Sequence, residues 1–340
     1  MPEQTQTEIF DLGDFQLSTG FILSNAKLAY KTHGKLNAAK DNAILFPHFL
    51  GGAPEALEIY IGEDRPLDPR KYFIILPGLL GNGVSSSPSN TAAPFDRGAF
   101  PQTYIADDVI AQHRLVTEKF GIDELYLVLG WSVGALQTYE WAVRFPHMVK
   151  RAASIAGAPK PSPWTLLWLR TAIEEPILAD PAWNNGFYTD PQAVQAGLRR
   201  QAHVMALTLP PLGFYREGEE VWRTIGFASM DDFVSRFWEA FMLPQDPNNL
   251  INQSRKTRAA DPSAGGDLSA ALSRIKAQMF VVAFTGDRMF PPEECQRDAE
   301  RIPNAKYWEV NSIGGHLTTF SLTEQDRQAM DDVLRQVLTA

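Results

Sequence analysis

A single cysteine, Cys295, stands in a chain of 340 residues, so no intrachain disulfide can form. Nothing in the sequence points to an oxidising compartment. Cys295 sits in the charged stretch Glu293-Glu294-Cys295-Gln296-Arg297, a poor setting for a reactive thiol. No apolar run approaches the roughly 18 residues a membrane span needs. The start, Met1-Pro2-Glu3-Gln4-Thr5, is polar and lacks the apolar centre of a secretion signal, so a cytoplasmic protein is expected. Positive charge is short, with 31 Lys and Arg against 40 Asp and Glu and a net charge of -9. Nucleic acid and anionic membranes need clustered cations, and are excluded as main partners. Gly81-Asn82-Gly83 has neither the Lys-Ser/Thr ending of a phosphate loop nor the third glycine of a dinucleotide fingerprint. No His-Glu-x-x-His, paired-cysteine or carboxylate-cluster pattern suggests a metal, and no organic cofactor is expected.

What the chain has is 44% hydrophobic residues, ample for a large core. Its length suits one large α/β domain with an insertion. Two mixed polar and apolar runs near the start, Phe10–Phe15 and Ala26–Lys31, read as antiparallel edge strands. Apolar runs at Ala43–Leu50, Tyr72–Leu76, Tyr126–Leu129, Arg151–Gly157, Met279–Phe284 and Lys306–Val310 read as further strands. Helical spacing appears at 104–120, after Ala135, and from Glu324 to Leu338. Strands alternating with helices imply a mostly parallel central sheet with helices on both faces. The stretch 159–261 changes texture: it holds Trp164, Trp168, Trp183, Trp222 and Trp238, has several prolines and shows no clear strand. It reads as a helical lid inserted into a core of 1–158 and 262–340. The irregular stretch from Gly78 to Gln102 reads as a structured loop over the sheet edge.

Chemistry centres on Gly130-Trp131-Ser132-Val133-Gly134. A serine between glycines, after a buried strand and before a helix, is the pattern of a nucleophile elbow, where a tight turn holds the hydroxyl clear of the sheet. A serine hydroxyl needs a base, and the base needs an orienting acid. Of six histidines, only His316 follows the last two core strands, in the glycine loop Gly314-Gly315-His316. Asp287 stands where the strand Met279–Phe284 ends, at the sheet edge where such sites collect. Ser132, Asp287 and His316 are the expected triad. Two donors for an acyl oxyanion are expected from the backbone N–H of Val133 and that of Leu50, with Phe49 N–H as the near alternative. His48 is expected only to brace that loop.

These residues make the sequence similar to the homoserine O-acetyltransferase group of the α/β-hydrolase superfamily, over nearly the whole chain. The resemblance is carried by Pro69-Arg70-Lys71-Tyr72-Phe73-Ile74, Gln137-Thr138-Tyr139-Glu140-Trp141-Ala142, Asp180-Pro181-Ala182-Trp183, Asp287-Arg288-Met289-Phe290-Pro291 and Gly315-His316. It implies the α/β-hydrolase fold, acyl transfer through an acyl-enzyme on Ser132, and a homodimer. The departures point away from homoserine. The group usually carries Gly-Gly-Ser-Met-Gly-Gly at the elbow, where this chain has Trp131 and Ala135. It follows the triad histidine with an aspartate that holds the substrate amine, where this chain has Leu317. Arg170 matches a lid arginine of the group, but Leu166 replaces an asparagine four places before it. A leucine cannot pair an ammonium, and an unpaired buried charge is disfavoured. Divergent members act as esterases or as thiohydrolases in secondary metabolism. The expectation is therefore hydrolysis of a small-molecule ester or thioester; an acyl-CoA-dependent O-acyltransferase on another alcohol is the alternative. Trp164, Trp168, Phe187, Trp222 and Phe237 of the insertion are candidate pocket walls.

Overall fold

The computed structural model describes residues 6–339, the side chains of Gly218 and Glu219 apart; the polar start Met1–Thr5 lies outside them. Eight strands form one sheet: β1 (Glu8–Gln16), β2 (Ile22–His33), β3 (Ala43–Leu45), β4 (Phe73–Pro77), β5 (Leu127–Trp131), β6 (Arg151–Ile155), β7 (Gln278–Phe284) and β8 (Ala305–Val310). Their order across the sheet is β1-β2-β4-β3-β5-β6-β7-β8. β1 pairs antiparallel with β2, and β2 antiparallel with β4. From β4 to β8 every neighbouring pair is parallel. The helices that bear on the site are α1 (Ile105–Arg114), α2 (Val133–Arg144), α3 (Gln195–Thr208), α4 (Pro247–Arg258) and α5 (Glu324–Thr339).

Side chains alternate across each strand, so each buried run serves two layers. Leu127 and Leu129 of β5 share one layer with Met330, Val333 and Val337 of α5. Val128, between them, joins the opposite layer with Ile105 and Val109 of α1 and Leu136 of α2. The sheet is thus covered on both faces, as its unbroken apolar runs require.

One strand is shorter than its apolar run suggests. Ala43–Leu50 reads as a continuous strand, yet β3 ends at Leu45. Phe46 N–H still reaches Ile75 O at 2.9 Å, but Pro47 has no N–H to continue the ladder. The chain leaves the sheet there and turns through Gly51, with φ of 72°. Burial, not strand pairing, accounts for the remaining apolar residues.

The stretch from Gly78 to Gln102 is loop apart from the short turn Arg97–Ala99. It lies along β2, where Ser85 Oγ accepts from Ala29 N–H at 3.1 Å and Ser86 Oγ from Lys27 N–H at 2.9 Å.

Between β6 and β7, the described residues from Pro163 to Arg258 form helices and turns without a strand. The last helix of this insertion, α4, is fastened to the core by a fully buried ion pair. Lys256 Nζ lies 2.6 Å from Asp108 Oδ2 on α1 and donates to Leu80 O at 2.6 Å. Asp108 Oδ1 accepts from Leu80 N–H at 2.9 Å. Burial raises the Asp108 carboxyl to about 6 against the opposing pull of Lys256. Removing one member leaves the other uncompensated. Lys256→Met is therefore expected to lower the unfolding free energy by about 3–5 kcal/mol, and Lys256→Met with Asp108→Leu to recover a large part of it. Urea titration reads both; a single variant as stable as the parent would contradict the arrangement.

Candidate active site

Ser132 sits at the junction of β5 and α2 with φ 55° and ψ -123°. A non-glycine residue in that region is strained, by about 1–3 kcal/mol, and persists only where its surroundings enforce it. Here close backbone packing does so. A Cβ on Gly134 would lie 2.4 Å from Pro47 O, and one on Gly130 would lie 2.3 Å from Gly134 O. Both glycines are thus required by space. Ser132 N–H donates to Ile155 O at 3.1 Å, and Ser132 O accepts from Ala135 N–H at 2.9 Å, which fixes the turn from both sides.

Asp287 follows β7, and His316 follows β8. Both lie past the carboxyl ends of parallel strands, as Ser132 does, so three separate loops meet at one sheet edge. His316 Nδ1 lies 2.7 Å from Asp287 Oδ2, both side chains buried. A carboxylate oxygen accepts, so Nδ1 carries the proton and Nε2 of a neutral ring is the basic nitrogen. Asp287 Oδ1 is occupied separately, by Met289 N–H at 2.8 Å and Phe290 N–H at 2.9 Å. The carboxylate is held at both oxygens.

Ser132 and His316 line one cavity of about 30 Å³, a space on the scale of a water or two. Every other lining residue is apolar or aromatic, among them Phe49, Leu50, Trp131 and Phe320 from the core and Trp168 and Met205 from the insertion. Among the described lining residues there is no carboxylate to meet an ammonium. Phe49 stacks on Trp131 at 3.8 Å between ring centroids, and Phe320 meets Trp131 edge-on at 5.2 Å. The indole N–H groups of Trp131 and Trp168 are buried with no hydrogen-bond partner among the described residues.

The segment from Pro47 to Gly52 passes beside the elbow, and its backbone is pinned by buried and half-buried side chains. Gln137 Nε2 donates to His48 O at 3.2 Å, while its Oε1 accepts from Gln112 Nε2 at 2.6 Å. Gly51 N–H donates to Gln253 Oε1 at 3.0 Å, and Gly51 O accepts from Gln245 Nε2 at 3.0 Å. Asn82 Nδ2 donates to Gly52 O at 3.1 Å. Neither Phe49 N–H nor Leu50 N–H has an acceptor among the described residues. Val133 is the first residue of α2, so its N–H has no partner within the helix.

Of the residues singled out in the sequence, Ser132, His316, Leu50 and Trp131 line the cavity, Asp287 holds His316, and Val133 adjoins Ser132. Arg170 is not brought to them: its side chain is 55% exposed and lies 3.2 Å from Glu175. Leu317 is buried in the core layer rather than in the cavity wall. Among the aromatic residues proposed as walls, only Trp168 lines the cavity. Trp164 and Phe187 are largely exposed, Trp222 is buried away from the cavity, and Phe237 packs behind Phe320 at 5.7 Å. The actual insertion walls include Ile173, Met205 and Leu209, whose only signal in sequence is helical apolar spacing. Cys295 is buried, and burial together with nearby Asp287 pushes its thiol well up, as suits an inert packing residue.

Asn82 and Gln137 were not legible as site residues. Asn82 stands out only as the residue between two glycines of positive φ, Gly81 and Gly83. No group of three or more His, Cys, Asp or Glu able to hold a metal lies among the described residues. No helix among them is long and apolar enough to cross a membrane.

Comparison with known proteins bears on the family and the fold. The family described as alpha/beta hydrolase fold matches residues 42–320. The ethyl acetate hydrolase of Pseudomonas veronii is 43% identical over 336 residues, covering 98% of this chain and 95% of that protein. The solved structure of the acetyl esterase MekB superposes with a TM-score of 0.95 at 43% identity, covering 98% of this chain and 97% of the other. A homoserine O-acetyltransferase of Trichormus variabilis is more distant, at 33% identity over 326 residues, covering 92% of this chain and 89% of that protein.

Proposed function

The chain belongs to the alpha/beta hydrolase fold family, and from that premise we propose that it is a serine esterase cleaving small esters of short acyl groups through an acyl-enzyme on Ser132. The observation that carries this reading is that His316, held from behind by the buried Asp287, shares a narrow, otherwise apolar cavity with a serine held at a strained elbow. His316 Nε2 takes the Ser132 proton as Oγ attacks the acyl carbon. The Leu50 and Val133 N–H groups receive the negative charge that develops on the carbonyl oxygen, at the moment when it matters for rate. His316 then returns the proton to the departing alkoxide. Water enters and attacks the acyl carbon as His316 takes its proton; His316 then gives that proton to Ser132 Oγ as the ester bond to the enzyme breaks and the acid leaves.

In this reading the helical insertion acts as a lid over the acyl group, supported by Trp168, Ile173, Met205 and Leu209 among the residues that line the cavity. A thioester, or an alcohol acceptor in place of water, uses the same steps. The confined apolar walls favour small acyl groups, and the lack of a carboxylate among the described lining residues disfavours an amine-bearing acceptor such as homoserine. A cytoplasmic location and a homodimer remain part of the proposal, the second read by sedimentation.

A panel of acetyl to octanoyl esters, with matching thioesters, tests the substrate class. Acetyl and propionyl esters are expected to lead, with kcat/KM falling by about tenfold or more at octanoyl as added methylenes meet the closed wall. A preference for octanoyl, for acyl-CoA, or for acylated acceptor over free acid would sink it.

A further inference from the structure

The segment that supplies the proposed Leu50 donor carries a histidine with no part in the proton transfers. His48 is fully buried, and both ring nitrogens are engaged. Nδ1 lies 2.9 Å from Phe49 O, and Nε2 lies 3.0 Å from Asn82 Nδ2. A carbonyl can only accept, so Nδ1 carries the proton; an amide nitrogen can only donate, so Nε2 accepts. The network therefore selects a single neutral tautomer. Burial agrees, since it lowers the ring's pKa to about 4. Asn82 is itself fixed: its second amide hydrogen goes to Gly52 O, and its Oδ1 accepts from Val84 N–H at 3.3 Å.

Phe49 O belongs to the peptide whose N–H is that of Leu50. A trans peptide is planar, with its C=O and N–H pointing in opposite directions. Drawing Phe49 O onto the His48 ring, with Gly52 N–H bonding it at 3.1 Å, turns the Leu50 N–H the other way. Leu50 lines the cavity with Ser132. A flipped peptide would present Phe49 O there instead, and a carbonyl oxygen repels an oxyanion. The neighbouring peptide has its own clamp, through Gln137 Nε2 to His48 O.

We infer that His48, oriented by Asn82, is a positioning residue that holds the Phe49–Leu50 peptide with its N–H facing the Ser132 cavity. The inference rests on the acyl-enzyme reading above and names how one of its oxyanion donors is kept in place. His48 acts through the backbone and touches no reacting atom.

Three substitutions at one position separate this role from simple packing. In His48→Asn the amide nitrogen takes the place of Nδ1 and can still donate to Phe49 O. In His48→Gln it takes the place of Nε2, and in His48→Phe the ring remains with no donor. Each is compared by kcat and KM for an acetyl ester, by affinity for a trifluoromethyl ketone that forms a tetrahedral oxyanion on Ser132, and by thermal midpoint. His48→Gln and His48→Phe are expected to lose about 10- to 100-fold in kcat, part of the value of one oxyanion donor, with KM little changed and ketone affinity falling in step. His48→Asn should keep kcat within about threefold of the parent. Asn82→Leu, which frees the ring to turn, gives the same direction of loss should the His48 variants fold poorly. Folded His48→Phe with parental kcat and ketone affinity overturns the inference, as does an equal loss in the Asn and Phe variants. Activity surviving in Ser132→Ala would instead overturn the underlying reading, so the two failures are distinguishable.

Discussion

Ser132→Ala is expected to lower kcat/KM for an acetyl ester by on the order of 10⁴-fold or more, down to what the cavity and the oxyanion donors support without a nucleophile. The argument is structural as well as chemical. Ser132 Oγ is the only hydroxyl among the described residues lining the cavity with His316, so no neighbour stands ready to replace it. The substitution leaves the backbone where it is, because alanine meets the same strain at φ 55° that serine does. Stability should therefore change little. Ser132→Gly is informative beside it: glycine adopts this φ freely, so that variant should be equally inactive yet more stable. A rise in thermal midpoint with loss of activity would show that strain at the elbow serves function rather than folding.

Asp287→Asn is expected to cost a similar amount, on the order of 10⁴-fold in kcat, with a folded protein. The two oxygens of Asp287 have different partners, and this decides the outcome. Oδ1 is held by the N–H groups of Met289 and Phe290, which demand an acceptor. An asparagine must place its oxygen there, and its NH₂ then faces His316 Nδ1. A donor at that point forces Nδ1 to accept and moves the imidazole proton to Nε2, the nitrogen that has to take the proton of Ser132. The base is then blocked by its own tautomer. KM should move far less than kcat, since Asp287 is not among the cavity-lining residues. Steady-state kinetics with the thermal midpoint alongside reads this; a variant within tenfold of the parent would show that His316 does not depend on Asp287.

The parts of the site that follow from local pattern were legible in the sequence, and the parts made by distant pairing were not. The apolar runs of β4 to β7 identify buried strands, and a serine between glycines at a strand end identifies the elbow; β8, at the sheet edge, is only half-buried. Chain order alone then leaves His316 and Asp287 as partners, because each ends one of the last two strands. The reading of Ala43–Leu50 as one strand shows the limit of periodicity: hydrophobicity reports burial, and Phe49 and Leu50 are buried in a loop rather than paired. Asn82 and Gln137 are invisible for another reason. Their roles depend on His48, which lies 34 residues from Asn82 and 89 from Gln137, and no local motif encodes either contact. Arg170 illustrates the reverse error, in which a matching letter on the insertion is turned to solvent and paired with Glu175. Trp164 and Trp168 stand one turn apart on the same face of one helix, yet only Trp168 reaches the cavity while Trp164 is 43% exposed; how far along its axis the helix covers the cavity is set by tertiary packing.

The central claim, that ester cleavage runs through a covalent intermediate on Ser132, is tested most directly by mass spectrometry of the enzyme inactivated with diethyl p-nitrophenyl phosphate. One diethylphosphoryl group per chain is expected on the peptide carrying Ser132, with esterase activity lost in proportion to labelling and no label in Ser132→Ala. Label on another residue, or activity that persists after Ser132 is fully modified, would contradict it.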